Sequence, residues 1–260
     1  MQERDDWSAF FTELADLSGA VILPHFRTRM TIDNKEVDAF DPVTAADRAA
    51  EQVIRRHIGA RFPDHGILGE EFGDDSGSAE YVWVIDPIDG TRAFISGVPV
   101  WGTLVGLKKG GRPIYGMMSQ PFIGERFIGD GRTSTYAGPA GEAVLRTRPC
   151  PSIAEATLFT TSPTLFKDDE RAAYDRVETG VRLTRYSCDC YAYCMLAGGH
   201  VDIVIESGLK TFDIMPLIPV IEGAGGVVTN WQGGSAIDGG QVVASGDPSL
   251  HEEVLRRLAG

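Results

Sequence analysis

The stretch Trp83–Phe94, "WVIDPIDGTRAF", decides how this chain is read. The run "YVWVID" reads as a strand, and it ends on a carboxylate, Asp86. A second carboxylate, Asp89, stands three residues on, followed by Gly-Thr. Asp-Pro and Asp-Gly are common turn formers, so one reading is a turn and nothing more. The other reading is a metal site. Pro87 fixes its own φ and removes an N–H. Gly90 allows a tight backbone and close approach of a ligand. Such a turn can aim both carboxylates and the Ile88 carbonyl at one point. All-oxygen ligands of this kind suit Mg²⁺ or Mn²⁺ and not zinc. Thr91 opens a short helix through Phe94, and the free N–H groups at a helix start favour a phosphate. Carboxylates for a cation, followed at once by a phosphate cradle, point to phosphoryl chemistry.

The chain around this stretch has 260 residues, enough for one two-part unit with a large core. Hydrophobic residues make up 43% and charged residues 23%, the balance of a globular chain. No apolar run reaches the roughly 18 residues of a membrane span. The opening "MQERDDW" lacks the order of a signal peptide, so a cytoplasmic location and no membrane partner are expected. A net charge of −13 argues against a nucleic-acid partner, which needs a basic face. It also suits a phosphate-ester enzyme only if bound cations invert the local field. The four cysteines, Cys150, Cys188, Cys190 and Cys194, fit no common zinc spacing and read as reduced core or near-core thiols.

Helical spacing of Phe10, Leu14, Leu17, Val21 and Ile22 predicts a first helix. "TRMTIDNKEVDAF" reads as a mobile loop or hairpin. A second helix starts in "DPVTAAD", with Thr44 as N-cap and Asp47 completing a capping box. "HGILGEE" reads as a short strand ending in two acids, and residues 99–145 as a β-meander. After Pro149 strands and helices alternate: "ATLFTT", "DDERAAYDRVE", "VRLTRYS", "DCYAYCMLAGG", "VDIVIES", "FDIMPLIPVIEGAGG", "GVVTNW", "QVVASG" and a helix from Pro248. An α+β part over residues 1–147 therefore precedes an α/β part over 148–260, with the site expected between them.

Glu70, Asp86, Asp89 and Asp213 each fall at a strand end or helix start, where layered α/β folds place their chemistry. Each has a bland alternative. "EE" is usually a solvated pair, and Asp47 could be only a cap. The order and context of the set argue against coincidence.

The series "DPVTAAD", "GEE", "DPIDGT", "FD" and "GAGG" resembles the inositol monophosphatase-like family of magnesium-dependent, lithium-sensitive phosphatases, over roughly Phe10 to Val254. The resemblance implies an α+β fold, a layered αβαβα sandwich of the inositol monophosphatase/fructose-bisphosphatase type, and a homodimer. It implies that Glu70, Asp86, Asp89, Asp213 and the Ile88 carbonyl hold two or three Mg²⁺ per site, with Mn²⁺ as a substitute. Asp47, Glu70 and Thr91 would orient or deprotonate the attacking water. Asp89, Gly90, Thr91 and Asp213 would contact the substrate, a small-molecule phosphate ester. Phe212-Asp213 departs from the family's frequent Trp-Asp but keeps the carboxylate.

"GTRAFISGVPVWGTLVGL", "CDCYAYCMLAGG" and "ESGLKTFDIMPLIPVIEGAGG" look most like the histidinol-phosphate phosphatase branch. Asp189 falls where inositol-type members tend to carry a small neutral residue, and Glu206 matches a substrate-recognition acid. Two acids facing the substrate would favour the ammonium and imidazole of histidinol phosphate. The alternative for Asp189 is an N-cap on its helix. Arg185 and Lys210 are further candidates to line the site. The competing functions are a broad inositol-1-monophosphatase and a metal-loaded partner of RNA-processing or transcription machinery.

Overall fold

A computed structural model describes residues 7–29, 33–34 and 42–260. Helix α1 (Trp7–Ile22) buries one face, Phe10, Phe11, Leu14, Ala15, Ser18, Gly19 and Ile22. The two-residue strands β1 (Asp33–Asn34) and β2 (Pro42–Val43) pair antiparallel. Of the rest of the expected loop or hairpin, Thr28 and Arg29 are described and residues 30–32 and 35–40 lie outside the described residues. Helix α2 (Ala45–Arg61) starts as its sequence requires, with Thr44 and Asp47 closing a reciprocal capping box.

Strands β3 (Gly66–Gly69), β4 (Gly73–Asp74) and β5 (Tyr81–Asp89) lead into a short helix α3 (Thr91–Ile95). The meander follows as β6 (Gly102–Lys109), β7 (Arg112–Gln120), β8 (Glu125–Gly129), β9 (Ser134–Gly138) and β10 (Gly141–Val144). The remaining elements are β11 (Thr157–Thr160), α4 (Asp169–Glu178), β12 (Leu183–Tyr186), α5 (Asp189–Ala197) and β13 (Ile203–Leu209). Then come α6 (Thr211–Ile214), α7 (Ile218–Gly223), β14 (Val227–Asn230), β15 (Gly240–Ser245) and α8 (Pro248–Ala259).

Eight strands form one sheet in the order β10-β9-β8-β7-β6-β5-β3-β4, antiparallel except for the parallel pair β3 and β5. Five form a second, β12-β11-β13-β15-β14, parallel around β11 and antiparallel around β15. Three apolar clusters lie between layers. Phe11, Leu14, Ile54 and Ile58 of α1 and α2 pack on Trp83, Ile85 and Val105 of the large sheet. Met118 and Phe127 of that sheet meet α5 and α7, which meet Val204 and Ala244 of the small sheet. Tyr174, Val177, Val254 and Leu258 of α4 and α8 cover its far side. The result is a layered α+β fold, helix–sheet–helix–sheet–helix. Full burial of each large side chain contributes about 1.5–3 kcal/mol. Among the described residues no helix is long and apolar enough to cross a membrane.

The structure differs from the sequence reading in three places. The strand of the opening stretch does not stop at Asp86 but continues, bulged, to Asp89. "FDIMPLIPVIEGAGG" is not one helix: α6 and α7 are separated by a 3₁₀ turn, Met215–Leu217. Pro216 and Pro219 remove N–H donors there and prevent a continuous ladder. The sequence pattern does not predict strands β4 and β10, because "GD" and "GEAV" carry too few apolar residues to signal a strand. The prolyl turn packs directly on the large sheet at Gly116, where a Cβ would lie 1.8 Å from the Pro216 carbonyl oxygen. That close approach brings α6, and with it Asp213, to the end of β5.

Candidate active site

The bulge aims the carboxylates. β5 and β6 stay in register from Tyr81 against Lys109 to Asp86 against Leu104, then slip before Asp89 meets Gly102. Bulges bend a strand and re-aim its side chains. Local hydrogen bonds hold this one. The Ile88 N–H donates to Asp86 Oδ1 at 3.1 Å, and Thr103 Oγ1 donates to the Pro87 carbonyl at 2.8 Å. Thr91 Oγ1 donates to the Ile88 carbonyl at 3.1 Å. The Ile88 side chain is buried with Phe94 and Trp101, so the turn is anchored from beneath.

Asp86, Asp89 and Asp213 each offer an oxygen within 4.8 Å of the other two. Asp213 is held by the Lys210 N–H, which donates to its Oδ2 at 2.6 Å. Glu70 follows β3, its N–H bonded to the Ile85 carbonyl at 3.1 Å. Its carboxylate hydrogen-bonds Asp86, and its charge is felt at Asp47 and Asp213. Asp47 is buried, and its Oδ2 accepts from the Thr44 N–H at 2.9 Å and the Thr44 hydroxyl at 2.6 Å. Four of the predicted acids thus share one site with Asp47 at its edge.

Burial and mutual repulsion load this site with protons. Burial, then the charges of Glu70, Asp89 and Asp213, push Asp86 well above the usual carboxylate range. Burial, then Asp213 and Asp189, do the same to Asp89. Burial lifts Asp213 to about 7 and Asp47 to about 6. Like charges this close favour the neutral form unless a cation balances them. The donors are carboxylate oxygens, the chemistry of a hard divalent ion such as Mg²⁺, Mn²⁺ or Ca²⁺. The nearest thiol, Cys190, is buried, and burial pushes its pKa well up, away from a metal-ligating thiolate. All four cysteines are free, and three of them are buried.

Two halves of the chain meet across the turn. Asp89 Oδ2 accepts the backbone N–H of Cys190, at the start of α5, at 2.7 Å. Gly90 has φ 82°, and a Cβ there would lie 3.1 Å from the Asp189 carboxylate. Asp189 therefore packs against the glycine that opens α3. It heads α5 at φ 43° without acting as a side-chain cap, so the capping alternative does not hold. Burial lifts its pKa to about 6, against the lowering charge of Arg92 and a hydrogen bond with Thr161.

Glu206 is placed differently from the reading that it faces a substrate. It is 2% exposed. Its Oε1 accepts from the Thr161 N–H at 2.6 Å and the Thr161 hydroxyl at 3.0 Å, and its Oε2 from Thr160 Oγ1 at 3.3 Å. Burial raises its pKa to about 8. These bonds brace the end of β11 behind Asp189, and with its pKa at about 8 Glu206 stays neutral near pH 7. Arg185 lies exposed on the edge strand β12, its charge felt at Cys188. Lys210 is exposed and contributes its backbone N–H and nearby charge to Asp213. Sequence reasoning missed Thr161, Arg92 and the Cys190 N–H. Only the "TT" closing a strand hinted at the first.

Carboxylates gathered at a bulged strand end, beside a helix start, are the equipment of metal-dependent enzymes of phosphate esters. A model of the inositol monophosphatase family matches residues 3–259, and the chain belongs to that family. It is a metal-dependent phosphatase, a phosphoric monoester hydrolase. The bifunctional phosphatase IMPL2, chloroplastic, of Arabidopsis thaliana is 46% identical over 268 residues, covering 98% of this chain and 76% of that one. A histidinol-phosphatase of Mycobacterium tuberculosis is 36% identical over 221 residues, covering 84% of each. A solved inositol monophosphatase from Zymomonas mobilis superposes with a TM-score of 0.89 at 39% identity, covering 100% of both chains.

Proposed function

We propose that this phosphatase hydrolyses L-histidinol phosphate to L-histidinol and phosphate, a step of histidine biosynthesis, using Mg²⁺. The observation that carries the substrate reading is the Asp189 carboxylate packed on Gly90. An acid beside the phosphate turn is suited to an ammonium on the leaving alcohol. The histidinol-phosphatase relative supports the same reading.

Asp86, Asp89, Asp213 and Glu70, with the Ile88 carbonyl, would hold the cation. When bound, it supplies positive charge to the phosphoryl oxygens and eases the ionisation of water. The Gly90 and Thr91 backbone at the start of α3 orients the phosphate. Asp47, with Glu70 and Thr91, orients the attacking water and takes its proton. A carboxylate lifted to about 6 is a better base near neutral pH than an ordinary one. Asp189 holds the leaving group, and Glu206 braces Thr161 beside it. A homodimer is part of this reading, on the family resemblance.

The second reading is a broad inositol-1-monophosphatase, favoured by the likeness to the Zymomonas enzyme. The experiment is kcat/KM for histidinol phosphate, inositol 1-phosphate and adenosine bisphosphate, side by side. Histidinol phosphate is expected to lead. A lead for inositol 1-phosphate replaces the first reading with the second.

A further inference from the structure

Glu51 lies on α2 one turn beyond Asp47, and residues four apart share a helix face. Both acids are buried, and Glu51 is 0% exposed. An acid is tolerated inside a protein only where donors and an opposite charge meet it. Here the donors come largely from another element. Glu51 Oε2 accepts the Glu71 N–H at 2.7 Å, and its Oε1 accepts the Phe72 N–H at 3.2 Å. Arg55, one turn further along α2, donates from Nε to the same Oε1 at 2.7 Å. Gly69 makes room for the carboxylate, since a Cβ there would stand 2.0 Å from Glu51 Oε1.

These bonds hold the loop between β3 and β4, the loop that carries Glu70. The Glu70 N–H donates at 3.1 Å to the carbonyl of Ile85, the residue before Asp86. The next two N–H groups go to Glu51. The Glu70 backbone is therefore pinned on one side to β5, beside Asp86, and on the other to α2, one turn from Asp47. Beyond it the loop is exposed, with Phe72 at 48%. β3 and β4 pair there over two residues, Leu68 with Asp74 and Gly69 with Gly73. Arg55 closes the far end, donating from Nη1 to Asp75 Oδ2 at 2.7 Å and from Nη2 to the Gly73 carbonyl. Exposed segments with few apolar contacts open readily, so this polar clasp supplies the hold that packing does not.

We infer that Glu51 is a positioning residue for the phosphatase reaction: it clasps the Glu70 loop to α2 and so fixes Glu70 between Asp47 and Asp86. The inference rests on the reading that Glu70 holds the cation and orients the attacking water. Fully buried, Glu51 touches neither substrate nor reacting atoms. A shift of about 1 Å in a reacting group can cost about a hundredfold in rate. Groups behind metal ligands tune cation affinity about ten- to a hundredfold. The competing account is a carboxylate that closes a turn for stability alone, which lowers Tm and leaves the kinetics unchanged.

Two variants of the full chain test it. Glu51→Gln keeps the size of the side chain but turns one acceptor oxygen into a donor, which faces the loop N–H groups or Arg55. Gly69→Ala leaves Glu51 intact and pushes its carboxylate off the loop. Amide hydrogen exchange at Glu71 and Phe72 is read by NMR, and Mg²⁺ binding by calorimetry. kcat and KM are measured well below each melting temperature, with histidinol phosphate and inositol 1-phosphate. In both variants the two amides should exchange about tenfold faster or more. Mg²⁺ should bind about tenfold more weakly, and kcat should fall about tenfold while KM stays within about twofold. Wild-type kcat and Mg²⁺ affinity in both variants, whatever the exchange, overturn the inference and leave Glu51 a support of the turn. If neither variant folds, Glu51 serves the fold alone, and the inference is overturned too. Glu70→Gln is measured beside them: wild-type turnover and Mg²⁺ affinity in that variant remove the reading of Glu70 on which the inference rests.

Discussion

The Asp89 carboxylate accepts the backbone N–H of Cys190 at 2.7 Å, across 101 residues of chain. This bond ties the bulged end of β5 to the start of α5. It places the acid that opens α5, Asp189, against Gly90. The carboxylate cluster, the Gly90 turn and Asp189 are therefore set by one junction between the two sheets.

Asp213 reaches this junction from the far half of the chain. Asp213→Asn keeps the shape and can still accept from the Lys210 N–H, so the fold should survive. Its charge is lost. Turnover at ordinary Mg²⁺ should fall on the order of a hundredfold or more, the scale of a few kcal/mol of charge stabilisation. Steady-state rates beside a circular-dichroism melt check both halves. Near wild-type turnover would reduce Asp213 to a turn former.

Gly90 sits at φ 82° with the Asp189 carboxylate 3.1 Å from where a Cβ would stand. Gly90→Ala should cost about 1–2 kcal/mol in urea unfolding, the usual penalty of a side chain in left-handed backbone. It should also lower kcat/KM by displacing Asp189. A variant of unchanged stability and activity would show that the turn relaxes freely.

The buried acids set a pH dependence. Asp47, Asp213 and Glu206 have folded values of about 6, 7 and 8, above ordinary values of 3.8, 3.8 and 4.5. A raised acid binds its proton more tightly when folded. Its stabilising contribution is full below the ordinary value and is lost as pH rises through the folded value. In chelator, Tm should therefore fall between about pH 4 and pH 8. With Mg²⁺ present the fall should flatten, since the cation binds the ionised form. Melts at matched ionic strength decide it: a chelated protein that gains stability across that window contradicts the burial argument.

On the proposed histidinol-phosphate reading, specificity should rest on Asp189. Asp189→Asn keeps size and polarity but removes the charge. A charge-assisted contact is worth about 1.5–3 kcal/mol, so kcat/KM for histidinol phosphate should drop about ten- to a hundredfold. Glycerol phosphate, which has no ammonium, should change little. A parallel fall for both substrates would make Asp189 a general support of the turn. Glu206→Gln serves as the contrast. Its oxygens brace Thr160 and Thr161, so it should affect both substrates alike.

The sequence by itself determined most of the elements and the local run of candidate metal acids. Asp86, Pro87, Asp89, Gly90 and Thr91 are adjacent in the chain, and their chemistry is local: a fixed φ, a permissive glycine, a helix start. The Thr44–Asp47 capping box was legible for the same reason, its partners three residues apart. Only the tertiary structure decided what lies opposite them. The Cys190 N–H on Asp89, the Asp189 carboxylate on Gly90 and the burial of Glu206 behind Thr161 join residues from different layers. Such contacts depend on how two sheets pack through α5 and α7, and close approaches such as Gly116 on Pro216 set that packing. Local sequence periodicity carries the face a residue presents, but not the group that will stand against it.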